Sequence, residues 1–518
     1  MNDSYTNRLI SSVKSEEIKS PTVMVQTGQC SNSVGAQNIL ALIKASPISA
    51  DLIETGCDGL CFLAPKVIVK YPDRTTSIFN NVSANDIKLI TNKINTHEPK
   101  NNSNNIASDL LNDQTRIAMD QCGYIDPVNV KSYISIGGYQ GLSKALDKKK
   151  DEVISEIEQS KLLGRGGAYF PTGLKLQAVS KAKGKSKYVV VNAEEGEPGV
   201  FKDRHLIEGV PHRIIEGAII SAYAVNSPQI IFYINAKAKL SLTRLKKAIK
   251  QSYQLNLLGK NILGSEYSID ASIVQGAGGY VCGEETTLLN TMEGDRREPR
   301  IKPPFPTESG YKYSPTLVNN CETLSNIPFI LNNGADSFKK TGVENAYGTK
   351  IISLSGSVNR PGVFEIQMGT SIDEIIQKFG GGSEGEKSQF AVSIGGPSSG
   401  VLPYSQLHTK IAPGRIHQTG IMLGAGGVVV LKSKNNVLEF IRILAKYNAN
   451  ESCGKCTPCR EGTPRIVNML DKLKPSTNTS QYREELSNLA EVVSSASLCG
   501  LGQGAGTPIK SFLHFWPD

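Results

Sequence analysis

Hydrophobic residues recur along this chain at two spacings, and the switches between them mark out units. Near the start, TVMVQTG reads as a strand and VGAQNILALIKAS repeats apolar positions at helical spacing. KVIVKYPDRTTSIFNNV reads as two strands around a turn, and SANDIKLITNKI opens at a serine cap into a helix. These patterns predict a small α/β unit over residues 21–96. HEPKNNSNNIASD, residues 97–109, is polar and asparagine-rich and predicts a linker. From 110 to 333 strand and helix periods alternate, as in a layered α/β domain. Residues 346–431 carry short strands and many glycines, with SIDEIIQKFG as a capped helix, and predict a compact β-rich unit. From 436 to 518 the period is helical, in NVLEFIRILAKYNA, TPRIVNMLDKL and QYREELSNLAEVVSSAS.

Composition narrows the class. The 518 residues are 39% hydrophobic and 20% charged, an ordinary folded chain of about three or four domains. The opening MNDSYTNRLISSVKSEE has no apolar core of the kind a signal peptide needs. The longest apolar stretch, Ile421 to Leu431, is far short of a membrane span. The expectation is a cytoplasmic protein without direct membrane insertion, whose thiols stay reduced. Its 10 cysteines then point to metal sites or buried packing instead of disulfides. The net charge of +9 is scattered, with no basic stripe interleaved with aromatics, so no nucleic-acid partner is expected.

ESCGKCTPCREG, residues 451–462, packs Cys453, Cys456 and Cys459 into one loop between the first two C-terminal helices. C-x₂-C-x₂-C can face three corners of a cube, and two antiparallel helices would return the chain to the loop at Cys499. Four thiolates around iron and sulfide suit a [4Fe–4S] cluster. Zinc takes Cys₄ too, but from two separated C-x-x-C pairs; inert cysteines are the third reading. Lys455 and Arg460 offer charge against the thiolates.

Two glycine loops, GRGGAYFPTGLK (164–175) and GAGGYVCGEETTLL (276–289), can turn backbone amides toward a phosphate. Each alone is no more than a tight turn. VVVNAEEGEPG places Asn192, Glu194, Glu195 and Glu197 at a strand end, where carboxylates can accept from ribose or ribityl hydroxyls; a solvated acidic loop is the plainer reading, and EF-hand spacing for calcium is lacking. Glu284 and Glu285 open a helix, and Lys302, Phe305, Asn319, Asn320 and Thr323 add a cation, a ring and amide donors. Together they suggest a pocket for two phosphate-bearing ring systems.

GRGGAYFPTGLK, NAEEGEPG, GAGGYVCGEET, KPPFP, PTLVNNCETL and ESCGKCTPCREG stand in the order found in the NADH-oxidising flavoprotein subunit of respiratory complex I, and from about residue 110 onward the chain resembles that family. The same subunit recurs in NAD-linked hydrogenases and formate dehydrogenases. The resemblance implies an α/β multidomain chain with a Rossmann-like FMN/NADH domain, a β-grasp (SLBB) domain over 346–431 and a helical [4Fe–4S] bundle. It implies FMN at Gly164, Arg165, Gly166, Gly167, Lys175, Asn192, Glu194, Gly283, Glu284, Asn319, Asn320 and Thr323. It implies NADH among Phe170, Glu197, Tyr280, Glu285, Lys302 and Phe305, and the cluster on Cys453, Cys456, Cys459 and Cys499. The implied activity is that of an NADH dehydrogenase, an electron-input (diaphorase) subunit passing electrons singly from the flavin through the cluster to partner iron–sulfur subunits. Acidic groups near the adenosine ribose favour NADH over NADPH. Tyr169 stands where the family has glycine, and Leu176 and Ala178 where it has large aromatics; these positions are expected to flank the nicotinamide.

QTGQCSNSVGAQ and ETGCDGLCFLAPKVIV resemble the thioredoxin-like [2Fe–2S] domain of a partner subunit, fused to the flavoprotein in some hydrogenase and formate dehydrogenase relatives. Cys30, Cys57 and Cys61 match three ligands; Gln26 stands where the first should be and is a poor iron ligand. A bound [2Fe–2S] cluster and a degenerate relic are both open, and Cys122 lies beyond the linker, too far for an easy substitute. Cys282 and Cys321 are expected to be buried packing. The fused front unit favours a hydrogenase or formate dehydrogenase complex over a quinone-reducing one. A non-catalytic scaffold is the rival of another class. Through partner subunits the chain is expected at the inner face of a membrane.

Overall fold

The computed structural model describes residues 5, 20–98, 106–184, 186–383, 390–432 and 437–517. The predicted linker falls mostly outside these ranges, as does residue 436; its last residues begin a helix, Ile106–Asn112.

The first unit is a four-stranded sheet in the order β2-β1-β3-β4, from β1 (Thr22–Gln26), β2 (Asp51–Thr55), β3 (Val67–Lys70) and β4 (Thr76–Phe79). β1 pairs parallel with β2 and antiparallel with β3. Helices α1 (Ala36–Ala45) and α2 (Ile87–Thr96) complete it, sending Ile39, Ile43, Ile90 and Ile94 into its core. Ser83 and Asp86 form the capping box ahead of α2. β2 was not evident from the sequence: its residues are largely half-exposed at the sheet edge, so its apolar alternation is weak.

This unit is bolted to the next. Glu208 accepts from the backbone of Gln29 at 2.8 Å, and Arg244 donates to Thr27 Oγ1 at 2.7 Å and to Glu208 O at 2.6 Å. A Cβ on Gly56 would strike Gly209, so the two backbones touch. Lys66 and Asp58 form a fully buried pair at 2.5 Å beneath the contact.

The central domain is a parallel sheet in the order β7-β6-β5-β8, from β5 (Tyr188–Ala193), β6 (Gln229–Asn235), β7 (Asp270–Gly276) and β8 (Thr316–Asn320). The near-continuous apolar runs VVV and IIFYI are what a parallel sheet covered on both faces requires. The helices that matter here are α3 (Thr172–Lys181), α4 (Lys202–Gly209), α5 (Glu285–Glu293) and α6 (Cys321–Asn333). A mixed sheet follows, from β9 (Thr349–Gly356), β10 (Gly362–Gln367), β11 (Ala391–Ile394), β12 (Gly400–Pro403) and β13 (Gly427–Leu431), in the order β10-β9-β13-β11-β12. Within it β9 and β13 run parallel. The chain ends in a bundle of α7 (Val437–Glu451), α8 (Thr457–Lys472), α9 (Ser480–Ala496), α10 (Gly500–Ala505) and α11 (Thr507–Phe515). Among the described residues no helix is long and apolar enough to cross a membrane.

Candidate active site

Strand order in the parallel sheet reverses between β5 and β8, the place where doubly wound sheets open a crevice beyond their C-terminal strand ends. Asn192 and Asn320 are register partners there. A cleft of about 760 Å³ opens at this point, a size that suits a nucleotide ligand. Its walls are Gly164, Gly166 and Phe170 from the first glycine loop, Lys175 from α3, Asn192, and Gly283 to Glu285 from the second loop. Asn319, Asn320 and Thr323 form the floor, and Lys302 and Phe305 the rim.

The close approach of the first loop requires glycine: a Cβ on Gly166 would lie 3.1 Å from Asn320 Cβ. Glu284 caps α5, accepting from Thr286 N at 2.9 Å and Thr287 N at 2.8 Å. Lys175 meets Glu285 at 3.1 Å, and Lys302 meets Glu284 at 2.8 Å and Glu285 at 3.5 Å. Burial pushes the Glu285 carboxyl up, but Lys175 and Lys302 outweigh it and hold it below the usual carboxylate range. Phe170 and Phe305 are half-exposed at the mouth, at 53% and 50%, and offer flat apolar faces.

Five predicted site residues stand behind these walls. Arg165 is fully buried; its guanidinium donates to Tyr347 O at 2.6 Å and its backbone N–H to Thr323 Oγ1 at 2.8 Å. Gly167 packs toward Gly424 and Ala425 of the β-rich domain. Glu194 accepts from Asn235 at 2.6 Å, and burial pushes its carboxyl up to about 7. Burial likewise raises Glu197 to about 7, beside Gly396. Tyr280 hydrogen-bonds Ser398 Oγ at 2.6 Å and donates its N–H to Glu451 at 2.7 Å.

Tyr169 adopts φ +55°, the left-handed region that favours glycine, and its hydroxyl donates to Gly424 O at 3.0 Å. It lines the cleft, as does Ala178. Leu176 does not flank the cleft as expected: it points to the opposite side of α3, fully buried in the main core.

The cleft's far wall is Leu498, Cys499, Gly500 and Gln503, which sequence reasoning missed apart from the cysteine; the signal was their adjacency to Cys499. Cys453, Cys456, Cys459 and Cys499 gather in one small cluster with Val281 and Leu501. Gly454 turns at φ +80°. Pro458 sits in the first turn of α8, whose N-cap is Cys456. Among the described residues no three such groups converge where a single ion would sit, whereas a four-iron cube presents separate corners. Lys455 donates to Pro299 O at 2.8 Å and Glu298 at 3.2 Å, and Arg460 donates back into the cysteine loop, to Gly454 O at 2.9 Å. Cys282 and Cys321 are buried and free.

The residues present fit a flavin nucleotide. The Asn319 Nδ2 is a buried donor with no partner in the floor of a glycine-edged cleft that also holds a lysine, and the thiol cluster shares the cleft wall. The front unit is different. Cys57 is buried and Gly28 packs on it, while Gln26, with an unpartnered buried Nε2, ends β1. Cys122, expected to be remote, packs on Gly209, and its neighbour Gly123 abuts Asp58. Its thiol faces His205 O at 3.8 Å, and burial pushes it up to about 12.

Fold and site together define a flavin-nucleotide protein with an iron–sulfur centre against its cleft. A family profile described as the Nuo51 FMN-binding domain matches residues 157–329, the NADH-ubiquinone oxidoreductase-F iron–sulfur binding region matches 439–518, and the SLBB domain matches 351–402. The NADP-reducing hydrogenase subunit HndC of Solidesulfovibrio fructosivorans is 42% identical over 398 residues, 77% of this chain and 81% of that one. An NADH-quinone oxidoreductase F-type subunit of Rhizobium meliloti is 39% identical, covering 74% of this chain and 92% of its own. An air-oxidised NAD⁺-reducing [NiFe]-hydrogenase structure superposes with a TM-score of 0.68 at 25% identity, over 96% of this chain and 84% of that one. The chain belongs to the family of the NADH-quinone oxidoreductase F-type subunits and their hydrogenase counterparts.

Proposed function

We propose that this chain is the electron-input subunit of a multisubunit redox complex, oxidising NADH with FMN and a [4Fe–4S] cluster as its cofactors. The observation that carries this is the shared wall: Cys499 belongs both to the four-thiol cluster and to the lining of the nucleotide cleft. Bound there, FMN supplies the conversion of a hydride into single electrons, and the cluster takes those electrons one at a time. The chain's own part is positional. Gly164, Gly166 and Lys175 receive the phosphate end, and Asn192, Asn319, Asn320 and Thr323 the ring and ribityl chain. Gly283 and Glu284 close the second loop over that nucleotide, and Phe170, Phe305, Glu285 and Lys302 hold NADH at the mouth. Stacking by the two exposed rings excludes water and fixes the approach. Arg165, Gly167, Glu194, Glu197 and Tyr280 support these walls from behind. Cys453, Cys456, Cys459 and Cys499 hold the cluster.

The same reading divides the chain at 97–109, 333–346 and 431–436. It makes the front unit thioredoxin-like, supported by the strand order β2-β1-β3-β4. No [2Fe–2S] cofactor is assigned to it: Cys30, Cys57 and Cys61 offer three thiols, and the residue standing in sequence where the fourth is expected is Gln26, a buried amide that binds iron poorly beside thiolate. A [2Fe–2S] centre is then supplied by a partner subunit, which also carries the chain to the membrane's inner face where there is one. A hydrogenase-type complex is favoured over a quinone-reducing one by the front unit, since the hydrogenase superposition spans 96% of this chain.

The test is anaerobic purification followed by NADH addition to the native chain and to Cys456→Ser. The native protein is expected to show flavin absorbance that bleaches with NADH and to reduce a one-electron acceptor through the cluster. The variant is expected to keep the bleaching and lose the onward transfer. A colourless native protein would instead point to a scaffold, and undiminished transfer in the variant would refute the wiring.

A further inference from the structure

A chain of buried ions runs from the β-rich domain to the floor of the cleft. Lys350, on β9, is fully buried and meets Glu322 of α6 at 2.5 Å. The same Glu322 oxygen meets Lys202 of α4 at 2.9 Å, and the other accepts from Ile351 N at 2.8 Å. Lys202, also fully buried, meets Asp203 at 2.8 Å and donates to Asn320 Oδ1 at 3.2 Å. Asn320 Nδ2 donates to Asp203 Oδ2 at 2.7 Å. Both ends of the Asn320 amide are therefore gripped by charged groups, and the same oxygen caps α6 through Glu322 N at 3.0 Å.

Two lysines and two carboxylates cancel in charge, but they are not interchangeable by position. Of the two lysines Lys202 is the one that touches Asn320, beside Asp203, and it shares Glu322 with Lys350. Buried pairs of this kind cost desolvation and contribute little net stability, so their placement calls for another reason. Burial pulls Lys350 down to about 8, which leaves it protonated at neutral pH. Burial pushes Glu322 up, but Lys350 and Lys202 outweigh it and hold the carboxyl below its usual range.

We propose that Lys350 is a positioning residue for the cofactor cleft, acting through Glu322 and Lys202 on Asn320 and so setting the reduction potential of the flavin bound there. It rests on the flavin reading given above. Without the Lys350 ammonium, Glu322 draws Lys202 away from Asn320 and leaves the buried set one charge more negative. A reduced flavin is more negative than an oxidised one, so that change opposes reduction. Removing the Glu322 charge does the reverse, leaving an extra positive charge beside the floor.

The experiment is a spectroelectrochemical titration of the flavin band in the FMN-loaded full chain. Lys350→Met is expected to shift the reduced-to-oxidised ratio at fixed potential about tenfold toward oxidised, about 30 mV for a two-electron couple. Glu322→Gln is expected to shift it about as far toward reduced, and Lys350→Arg to stay within about twofold of native. Shifts of Lys350→Met and Glu322→Gln in the same direction, or none in either, would overturn the proposal, because a purely structural role has no sign. Should Lys350→Met not hold FMN, Glu322→Gln decides alone, since its amide oxygen still accepts from Ile351 N. A native chain that binds no FMN would sink the flavin reading itself; loaded variants with unmoved potentials sink only this inference.

Discussion

Glu194→Gln isolates a pH-dependent strain behind the cleft. Glu194 is about 8% exposed; one oxygen accepts from Asn235 and the other has no partner, and a Cβ on Gly276 would collide with it. Burial raises the carboxyl from 4.5 to about 7, with Glu451 adding repulsion. The folded chain therefore keeps this proton to about pH 7, while the unfolded chain releases it near 4.5. Between those values the folded state binds more protons, so stability falls as pH rises. At about 1.4 kcal/mol per pH unit the full loss is roughly 3 kcal/mol, of which about 2.5 falls between about pH 5 and pH 8. Glutamine keeps the acceptor for Asn235 but buries an unpartnered N–H, which costs about 1–3 kcal/mol at every pH. The signature is thus a slope and not an offset. Denaturant unfolding of the flavin-free chain and the variant across that range should give a difference that moves about 2.5 kcal/mol in the variant's favour toward high pH. A difference that stays flat would refute the assignment of a buried, protonated Glu194.

Gly166→Ala should weaken FMN binding about tenfold, read by flavin fluorescence, because its Cβ would press on Asn320 at 3.1 Å; stability should change by less than about 1.5 kcal/mol, and an unchanged affinity would remove the loop from the site. Lys66→Met should cost about 3–5 kcal/mol by leaving Asp58 charged and unpaired in the interior. Lys66→Met with Asp58→Leu should recover more than half of that in urea melts, and strictly additive losses would contradict the pairing.

What could be read in advance divides along physical lines. Glycine loops, cysteine spacing and the apolar runs of β5 and β6 are local signals, and each led to an element in its place. Orientation was readable only where a period exists. On α3 Lys175 and Ala178 line the cleft while Leu176 and Val179 enter the core, as i, i+3 spacing dictates; the family likeness alone put Leu176 on the wrong side. In coil there is no period, so nothing in NAEEGEPG tells which carboxylates turn inward. Lys202, Lys350 and Glu322 were equally illegible, because charged residues default to the surface and only tertiary pairing keeps them inside.

The motifs that face away from the cleft explain how its two halves stay in register. Tyr280 comes from the second glycine loop, yet its N–H bonds Glu451 of α7, its hydroxyl bonds Ser398 of the β-rich domain, and its ring meets Tyr447 edge-on at 5.9 Å. Tyr447 in turn donates to Gly196 O at 2.7 Å, inside the acidic loop, and Asn448 to Pro397 O at 2.8 Å. Three domains thus close on one point beside the cysteine cluster. On the reading proposed above, transfer between a nucleotide in the cleft and a cluster at Cys453, Cys456, Cys459 and Cys499 would depend on their separation, which no single domain sets. Residues locked by contacts from several elements hold such geometry better than loops do. NAEEGEPG and GAGGYVCGEET therefore look like ligand motifs in sequence, while Gly196 and Tyr280 within them belong to the joint that fixes where the cleft stands relative to the cysteines.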